Sequence, residues 1–175
     1  AKKLTIINNN AGNGKVGLAS LIASGRVAKM ICSFPRSAGS VVFPDLYRAG
    51  KIDLEVVPQG TLAERLRAAG SGIPAFYTPT SVGTSLANGK DTRDFDGRTY
   101  VMERWLPADI ALIKADIADT HGNLTYNMTA RNFAPVMCMA ATTTIVQARE
   151  IVDPGDINPE MVVTPGIFVD RVIHI

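Results

Sequence analysis

Leu54-Glu55-Val56-Val57, followed by Pro58-Gln59-Gly60-Thr61-Leu62-Ala63-Glu64-Arg65, reads as a short strand, a proline stop and the opening of a helix. Proline cannot donate to a sheet ladder, so the strand ends there. Thr61 and Glu64 have the Thr-x-x-Glu spacing of a capping box, in which each side chain satisfies a backbone N–H of the first turn. Gln59 is therefore expected at a strand's carboxyl end, beside a helix N-terminus. In open α/β sheets ligands bind at that edge. The helix N-terminus adds partial positive charge and free N–H donors, which suit an anion.

The preceding sequence repeats this pattern. Residues 4–8 read as a buried strand and 17–24 as a helix ending at Gly25. Residues 28–34 are a predicted strand and 41–49 a helix ending at Gly50. The strand at 54–57 leads to a helix over 62–69 that ends at Gly70. Three βα units in a row, each helix stopped by glycine, predict a parallel sheet with right-handed crossovers. Downstream the character changes. Residues 72–90 are rich in Gly, Pro, Thr and Ser, lack a helical period and read as one long loop. Asp96-Gly97, between runs at 92–95 and 98–105, is a hairpin signal. Residues 111–115 and 124–126 flank the turn His121-Gly122-Asn123, a second predicted hairpin. Residues 130–141 read as a buried helix, and 143–147 and 167–173 as further β-rich runs. The expected fold class is α/β, a largely parallel sheet with flanking helices plus β-hairpins, in a single domain over residues 1–175.

The 175 residues are enough for one domain with a sizeable core. Hydrophobic residues make up 46% and charged residues 19%, the balance of a soluble globular protein. A net charge of +2 argues against nucleic acid or an anionic membrane as partner. No apolar run approaches membrane-spanning length, and nothing at the start reads as a signal peptide, so the expected compartment is the cytoplasm. The two cysteines, Cys32 and Cys138, lie far apart in apolar company and are expected to be buried free thiols.

Polar residues fall at three predicted strand ends: Asn8-Asn9-Asn10, then Ser33-Phe34-Pro35-Arg36, then Gln59. Amide, guanidinium and helix-end donors together suit a carboxylate or a thioester carbonyl. The same residue types also build Asx turns and caps at βα junctions, so both readings stand. Gly12-x-Gly14-x-x-Gly17 matches the dinucleotide fingerprint by spacing, with Arg36 where an NADP site places a cation. Four residues separate the strand's apolar part from Gly12, so that turn is not tight. His121 lies in a Gly-Asn turn and His174 in the last strand, neither in a triad or metal-ligand spacing. Asp116 and Asp119 read as solvating a hairpin, and Glu103 as a surface or paired carboxylate beside Arg104. No carboxylate has a setting that marks it as a nucleophile.

Asn9-Asn10-Ala11-Gly12, Pro58 to Arg65, Gly72-Ile73-Pro74-Ala75-Phe76-Tyr77-Thr78-Pro79-Thr80 with Gly83-Thr84, Thr129-Ala130-Arg131-Asn132-Phe133, and Thr164-Pro165-Gly166-Ile167-Phe168-Val169 occur in order along the chain. Together they resemble the A (alpha) subunit of family I CoA-transferases almost end to end. Cys32 to Arg36 and Leu46 to Ile52 resemble the branch acting on 3-oxoadipate more than the acetoacetate or acetate branches. The family's subunit opens with an additional βα unit carrying a Gly-Gly-x-Gly turn, which does not appear here. Ser81 stands where glycine is usual, and Asn127-Met128 replaces a basic pair.

The resemblance implies transfer of CoA from succinyl-CoA to 3-oxoadipate, with acetoacetate or acetate as alternative acceptors. The readings from other classes are an NADP-binding oxidoreductase and a non-catalytic acyl-binding subunit. A glutamate attacks the acyl-CoA, giving an anhydride and then a glutamyl-CoA thioester, from which CoA passes to the acceptor acid. The resemblance places that glutamate on a B subunit, in a hetero-oligomer of A and B chains, so no catalytic residue is expected here. The expected substrate-binding residues are Asn9, Asn10, Gln59, Gly60, Arg36, Thr80 and Gly83. Neither metal nor cofactor is expected, coenzyme A being the substrate's carrier. The ligands are an acyl-CoA and a short dicarboxylic or 3-oxo acid.

Overall fold

The computed structural model describes all residues, Ala1–Ile175. The chain forms two compact units, residues 1–62 with 77–102 and residues 63–76 with 103–175. The three expected βα steps are present, the first two within the first unit and the third with its helix running from the first unit into the second. Strands β1 (Leu4–Ile7), β2 (Val27–Cys32) and β3 (Asp53–Val56) alternate with helices α1 (Leu18–Ala23), α2 (Val42–Arg48) and α3 (Gln59–Gly70). The sheet is parallel in the order β1-β2-β3, with Ile6, Met30 and Leu54 side by side. These three lie in the cluster that also holds Ile22 of α1 and Phe43 of α2. Side chains alternate between the faces of a strand. Ile7, Ile31 and Glu55 therefore occupy the other face, and so do Asn9, Ser33 and Val57 one step further on.

The capping box is not formed. Helix α3 begins at Gln59, two residues before Thr61, with Leu62 N–H donating to Pro58 O at 2.8 Å. Pro58 stands at the N-cap, where its lack of an N–H costs no helical bond. Thr61 is buried in the first turn, and Glu64 is held by the Arg67 guanidinium at 2.6 and 2.8 Å. That side-chain hydrogen bond keeps the Glu64 carboxyl below its ordinary pKa. Gly70 is the last residue of α3 rather than its stop. A Cβ there would collide with Met139 Cβ and lie 2.7 Å from Met139 O, so a helical alanine does not fit. The chain turns away from the helix axis two residues later, where Gly72 takes φ +70° and the Ile73 N–H reaches back to Ala68 O at 2.9 Å. This is a Schellman closure, for which the left-handed residue favours glycine.

The predicted loop over 72–90 holds a strand, β4 (Ala75–Thr78), and a 3-10 turn at Ser85–Ala87. The Asp96-Gly97 hairpin is present as β5 (Thr92–Phe95) and β6 (Arg98–Arg104), and the sheet order is β4-β6-β5. In the second unit, β7 (Ala108–Asp119), β8 (Ala141–Val152) and β9 (Arg171–His174) form an all-parallel sheet. The second predicted hairpin is present as a short irregular antiparallel contact. Strand β7 runs along β8 over its full length, and after the turn the chain returns beside β7 with one bridge, Ala118 to Leu124. The Asp116 N–H donates to Thr125 O at 3.0 Å, the Thr125 N–H to Ile117 O at 2.9 Å and the Asp119 N–H to Asn123 O at 3.1 Å, and Leu124 also bridges Thr164. The predicted helix over 130–141 shortens to α4 (Ala134–Ala140), with a 3-10 turn at Met128–Ala130 ahead of it. The run at 167–173 divides into a 3-10 turn, Gly166–Phe168, and β9. Cys138, Ile113, Ala115 and Val146 centre this unit's core. No helix is long and apolar enough to cross a membrane.

Candidate functional site

The polar residues of the first unit meet at the carboxyl edge of its parallel sheet. Neighbouring strands lie about 4.8 Å apart, so β1 and β3 are separated by about twice that distance. The Gln59 side chain crosses this gap and donates from Nε2 to Asn9 Oδ1 at 2.9 Å. The bond fixes both amides. The second N–H of Gln59 and both N–H groups of Asn9 Nδ2 make no other bond within the chain, so one pair keeps three donors without a partner. Gln59 and Gly60 are exposed and lie in the first turn of α3. Their backbone N–H groups precede the first helical bond and are left without a helical acceptor. Directed donors without acceptors suit an oxyanion or a carboxylate.

Asn9 rather than Asn10 is the partner of Gln59. Asn10 Oδ1 accepts from the Gly12 N–H at 2.9 Å, and Asn10 O accepts from Asn8 Nδ2 at 3.0 Å. Asn10 therefore builds the Asx turn that was the alternative reading of this loop. The two functions divide between adjacent asparagines. The path from β1 to α1 is long, leaving β1 at Ile7 and resuming at Leu18, so the Gly12-to-Gly17 spacing does not make the tight turn of a dinucleotide fingerprint.

Arg36 follows β2, is exposed and makes no hydrogen bond or ion pair. Thr80 and Gly83 lie in the turn after β4. The Thr80 N–H donates to Thr78 Oγ1 at 3.2 Å, and no hydrogen bond joins this turn to Asn9 or Gln59. Ser81, between them, takes φ +78°, the region that favours the glycine usual at this position. Three hydroxyls of this unit, on Ser33, Ser40 and Ser81, have buried oxygens without a hydrogen-bond partner. Ser33 directly follows β2. Its N–H donates to Asn9 O at 3.2 Å, as does that of Phe34 at 2.9 Å. A buried hydroxyl without a partner is the signal that pattern reading from sequence does not carry.

The second unit holds polar groups of another kind. Asp119 is 3% exposed and not a solvated hairpin residue. Its Oδ1 accepts from the N–H groups of His121 and Asn123 at 3.0 and 2.8 Å, and its Oδ2 from Asn123 Nδ2 at 2.7 Å. Burial by itself raises this carboxyl's pKa, but the Asn123 side chain and the two N–H groups outweigh it and the pKa is lowered. Asn123 Oδ1 in turn accepts from the Gly166 N–H at 2.9 Å, tying the turn to the Thr164-Pro165-Gly166 segment. This is a structural cluster. Because the folded pKa lies below the unfolded value of about 3.9, the ionised Asp119 stabilises the fold fully above that value. The contribution vanishes as pH falls through the lower folded pKa. Asp119→Ala should cost about 2–3 kcal/mol at neutral pH, the scale for charge-assisted bonds and orphaned donors. Urea unfolding of both proteins at neutral pH and at about pH 3 checks this. The gap between them should narrow in acid.

Glu103 is also buried, at 2% exposure, and is partnered rather than lying at the surface. Both thiols are free and buried, and burial pushes each pKa up to about 11, which removes them as nucleophiles at neutral pH. A shallow hollow lined by Thr120, His121, Asp170 and Arg171 contains none of the predicted site residues. No group of three His, Cys, Asp or Glu side chains is placed to hold a metal.

A polar edge on a βα sheet, with an amide pair bridging its outer strands, fits a protein that handles acyl oxygens. The coenzyme A transferase family model matches residues 1–174. The chain belongs to the coenzyme A transferase family. It is 61% identical over 175 residues, covering 100% of this chain and 76% of the relative, to the A subunit of 3-oxoadipate CoA-transferase from Pseudomonas putida. It is 48% identical over 172 residues, 98% of this chain and 71% of the relative, to the A subunit of a probable succinyl-CoA:3-ketoacid coenzyme A transferase from Bacillus subtilis. The fold matches an acyl-CoA transferase from E. coli O157:H7, solved as a thioester complex with CoA, with a TM-score of 0.85 at 24% identity. That match covers 100% of this chain and 40% of the other.

Proposed function

We propose that the chain is the A subunit of a CoA-transferase that, with a B subunit, moves CoA from succinyl-CoA to 3-oxoadipate in the cytoplasm. The observation that carries the substrate assignment is 61% identity along the whole chain to a relative named for that acid. A specific observation also favours a 3-ketoacid acceptor, the 48% identity to a relative named for it.

In this reading the B subunit supplies a glutamate. Its carboxylate attacks the thioester carbonyl and expels the CoA thiolate, leaving a mixed anhydride. The thiolate then attacks the glutamyl carbonyl and releases the donor acid, giving a glutamyl-CoA thioester. The acceptor carboxylate reverses the sequence and leaves with CoA. This chain's part is to hold oxygen. The Nε2 of Gln59 and the Nδ2 of Asn9 donate to the carbonyl or carboxylate oxygen, whose charge grows in each addition step. Gly60 lets that oxygen approach the first turn of α3, and Asn10 holds the loop on which Asn9 sits. Thr80 and Gly83, in the turn after β4, are the further substrate-binding positions of this reading.

Arg36 reads the second carboxylate that succinate and 3-oxoadipate share and acetoacetate lacks. Its guanidinium has no competing partner in the chain and presents a bidentate fork. With the A and B chains coexpressed, Arg36→Ala should weaken use of 3-oxoadipate by about 1–3 kcal/mol, the scale of a charge-assisted hydrogen bond. Acetoacetate should be spared. The measurement is kcat/KM for both acids in both proteins. An equal fall for both acids removes Arg36 from specificity, and a wild-type preference for acetoacetate overturns the 3-oxoadipate assignment.

A further inference from the structure

We infer that Ser33 is a further substrate-contacting residue, its Oγ–H donating to the same acyl or carboxylate oxygen that Gln59 and Asn9 hold. The inference rests on the function proposed above for that amide pair. Ser33 is the first residue after β2, the central strand of the parallel sheet. Asn10 bridges Phe34, and the Ser33 N–H donates to Asn9 O, so Ser33 lies beside Asn9 in the register. On its other side the Val57 N–H donates to Cys32 O at 3.0 Å, which sets Val57 beside Ser33. Asn9, Ser33 and Val57 thus share one face, opposite the face that Met30 and Cys32 present to the core with α1 and α2. The Gln59-to-Asn9 bond joins the β3 side to the β1 side, and the end of β2, where Ser33 sits, lies between those two strands. The Ser33 oxygen is buried and makes no hydrogen bond within the chain.

A buried hydroxyl without a partner destabilises the fold that contains it. Such a group is explained when a ligand supplies the missing partner. A hydroxyl can donate to an oxyanion where it lies between two amides that do the same. Ser40 and Ser81 have unpartnered oxygens too, but neither follows a strand of the sheet or adjoins the amide pair in its register.

The test uses the coexpressed A and B chains and compares Ser33→Ala, Ser33→Thr and Gln59→Ala by succinyl-CoA exchange and thermal unfolding. Ser33→Ala should lower kcat by about ten- to a hundredfold, somewhat less than the loss of a fully preorganised donor. Its Tm should be unchanged or raised, because the orphaned oxygen is gone. Ser33→Thr, which keeps the hydroxyl, should retain most of the turnover. A serine needed only for folding behaves the opposite way, with a lowered Tm and turnover per folded molecule preserved. That outcome, or an unchanged kcat in Ser33→Ala while Gln59→Ala is impaired, overturns the role of Ser33 alone. Full turnover in Gln59→Ala instead overturns the reading of the amide pair on which it rests.

Discussion

Assayed without a B subunit, this chain should exchange no measurable CoA between succinyl-CoA and an acid acceptor. Covalent CoA transfer needs a carboxylate nucleophile close to the groups that hold the acyl oxygen. No carboxylate hydrogen-bonds Asn9, Asn10 or Gln59. Asp45 pairs with Arg48 in α2 and Glu64 with Arg67 in α3, and Glu55 of β3 pairs with Lys29 of β2. Glu103 is buried and partnered, and Asp119 organises a turn. Adding a B subunit should restore exchange. Borohydride applied during turnover, which reduces a glutamyl-CoA thioester, should then mark the B chain only. Exchange by the isolated chain, or reductive label on Glu103 or any other residue of it, contradicts this division of labour.

In the reconstituted complex, Gln59→Ala should lower acyl transfer by about ten- to a thousandfold, the range for removing one preorganised donor. At the upper end that is about 4 kcal/mol of transition-state stabilisation. The loss has two sources. The second N–H of Gln59 is deleted, and Asn9 is released from the bond that aims its own Nδ2. Stability should change little, because Gln59 is exposed and no helical bond depends on its side chain. Gln59→Glu removes both sets of donors and adds a charge. The new carboxylate can accept from Asn9 only if that amide turns over, and it repels the substrate's oxygen, so this variant should fall at least as far as alanine. Comparing kcat with Tm for both variants decides the matter. A lowered Tm with undiminished kcat makes Gln59 a structural residue.

Local patterns carried much of this fold. The three βα units were legible because each strand is a short apolar run and each helix has an apolar stripe and nearby glycine. The Asp96-Gly97 hairpin was legible because both residues tolerate the positive φ of 49° and 75° that its turn requires. Where the structure differs, another partner had claimed the residue. Thr61 and Glu64 have capping-box spacing, yet Thr61 is buried and Arg67 claims Glu64. His121-Gly122-Asn123 has the composition of a hairpin turn, but Asp119 and Gly166 shape it, and β8 takes the long side of β7. Gly70 looked like a helix stop, but it is required where Met139 approaches the helix.

The candidate site divides along the same line. Amides, a serine and an arginine at the ends of successive parallel strands were legible along the chain, because strand ends and turn residues are set by near neighbours. The sequence placed Gln59 correctly beside a helix N-terminus. That Asn9, not Asn10, meets Gln59 across β2, that Asn10 is consumed in a turn, and that Ser33 keeps a buried hydroxyl without a partner follow from packing across the sheet. Two adjacent asparagines are the same residue in composition and nearly the same in propensity. What separates them is the alternation of a strand's two faces and the register of its neighbours. That register is fixed by the packing of Ile6, Met30 and Leu54 under α1 and α2, residues spread over about fifty positions of the chain.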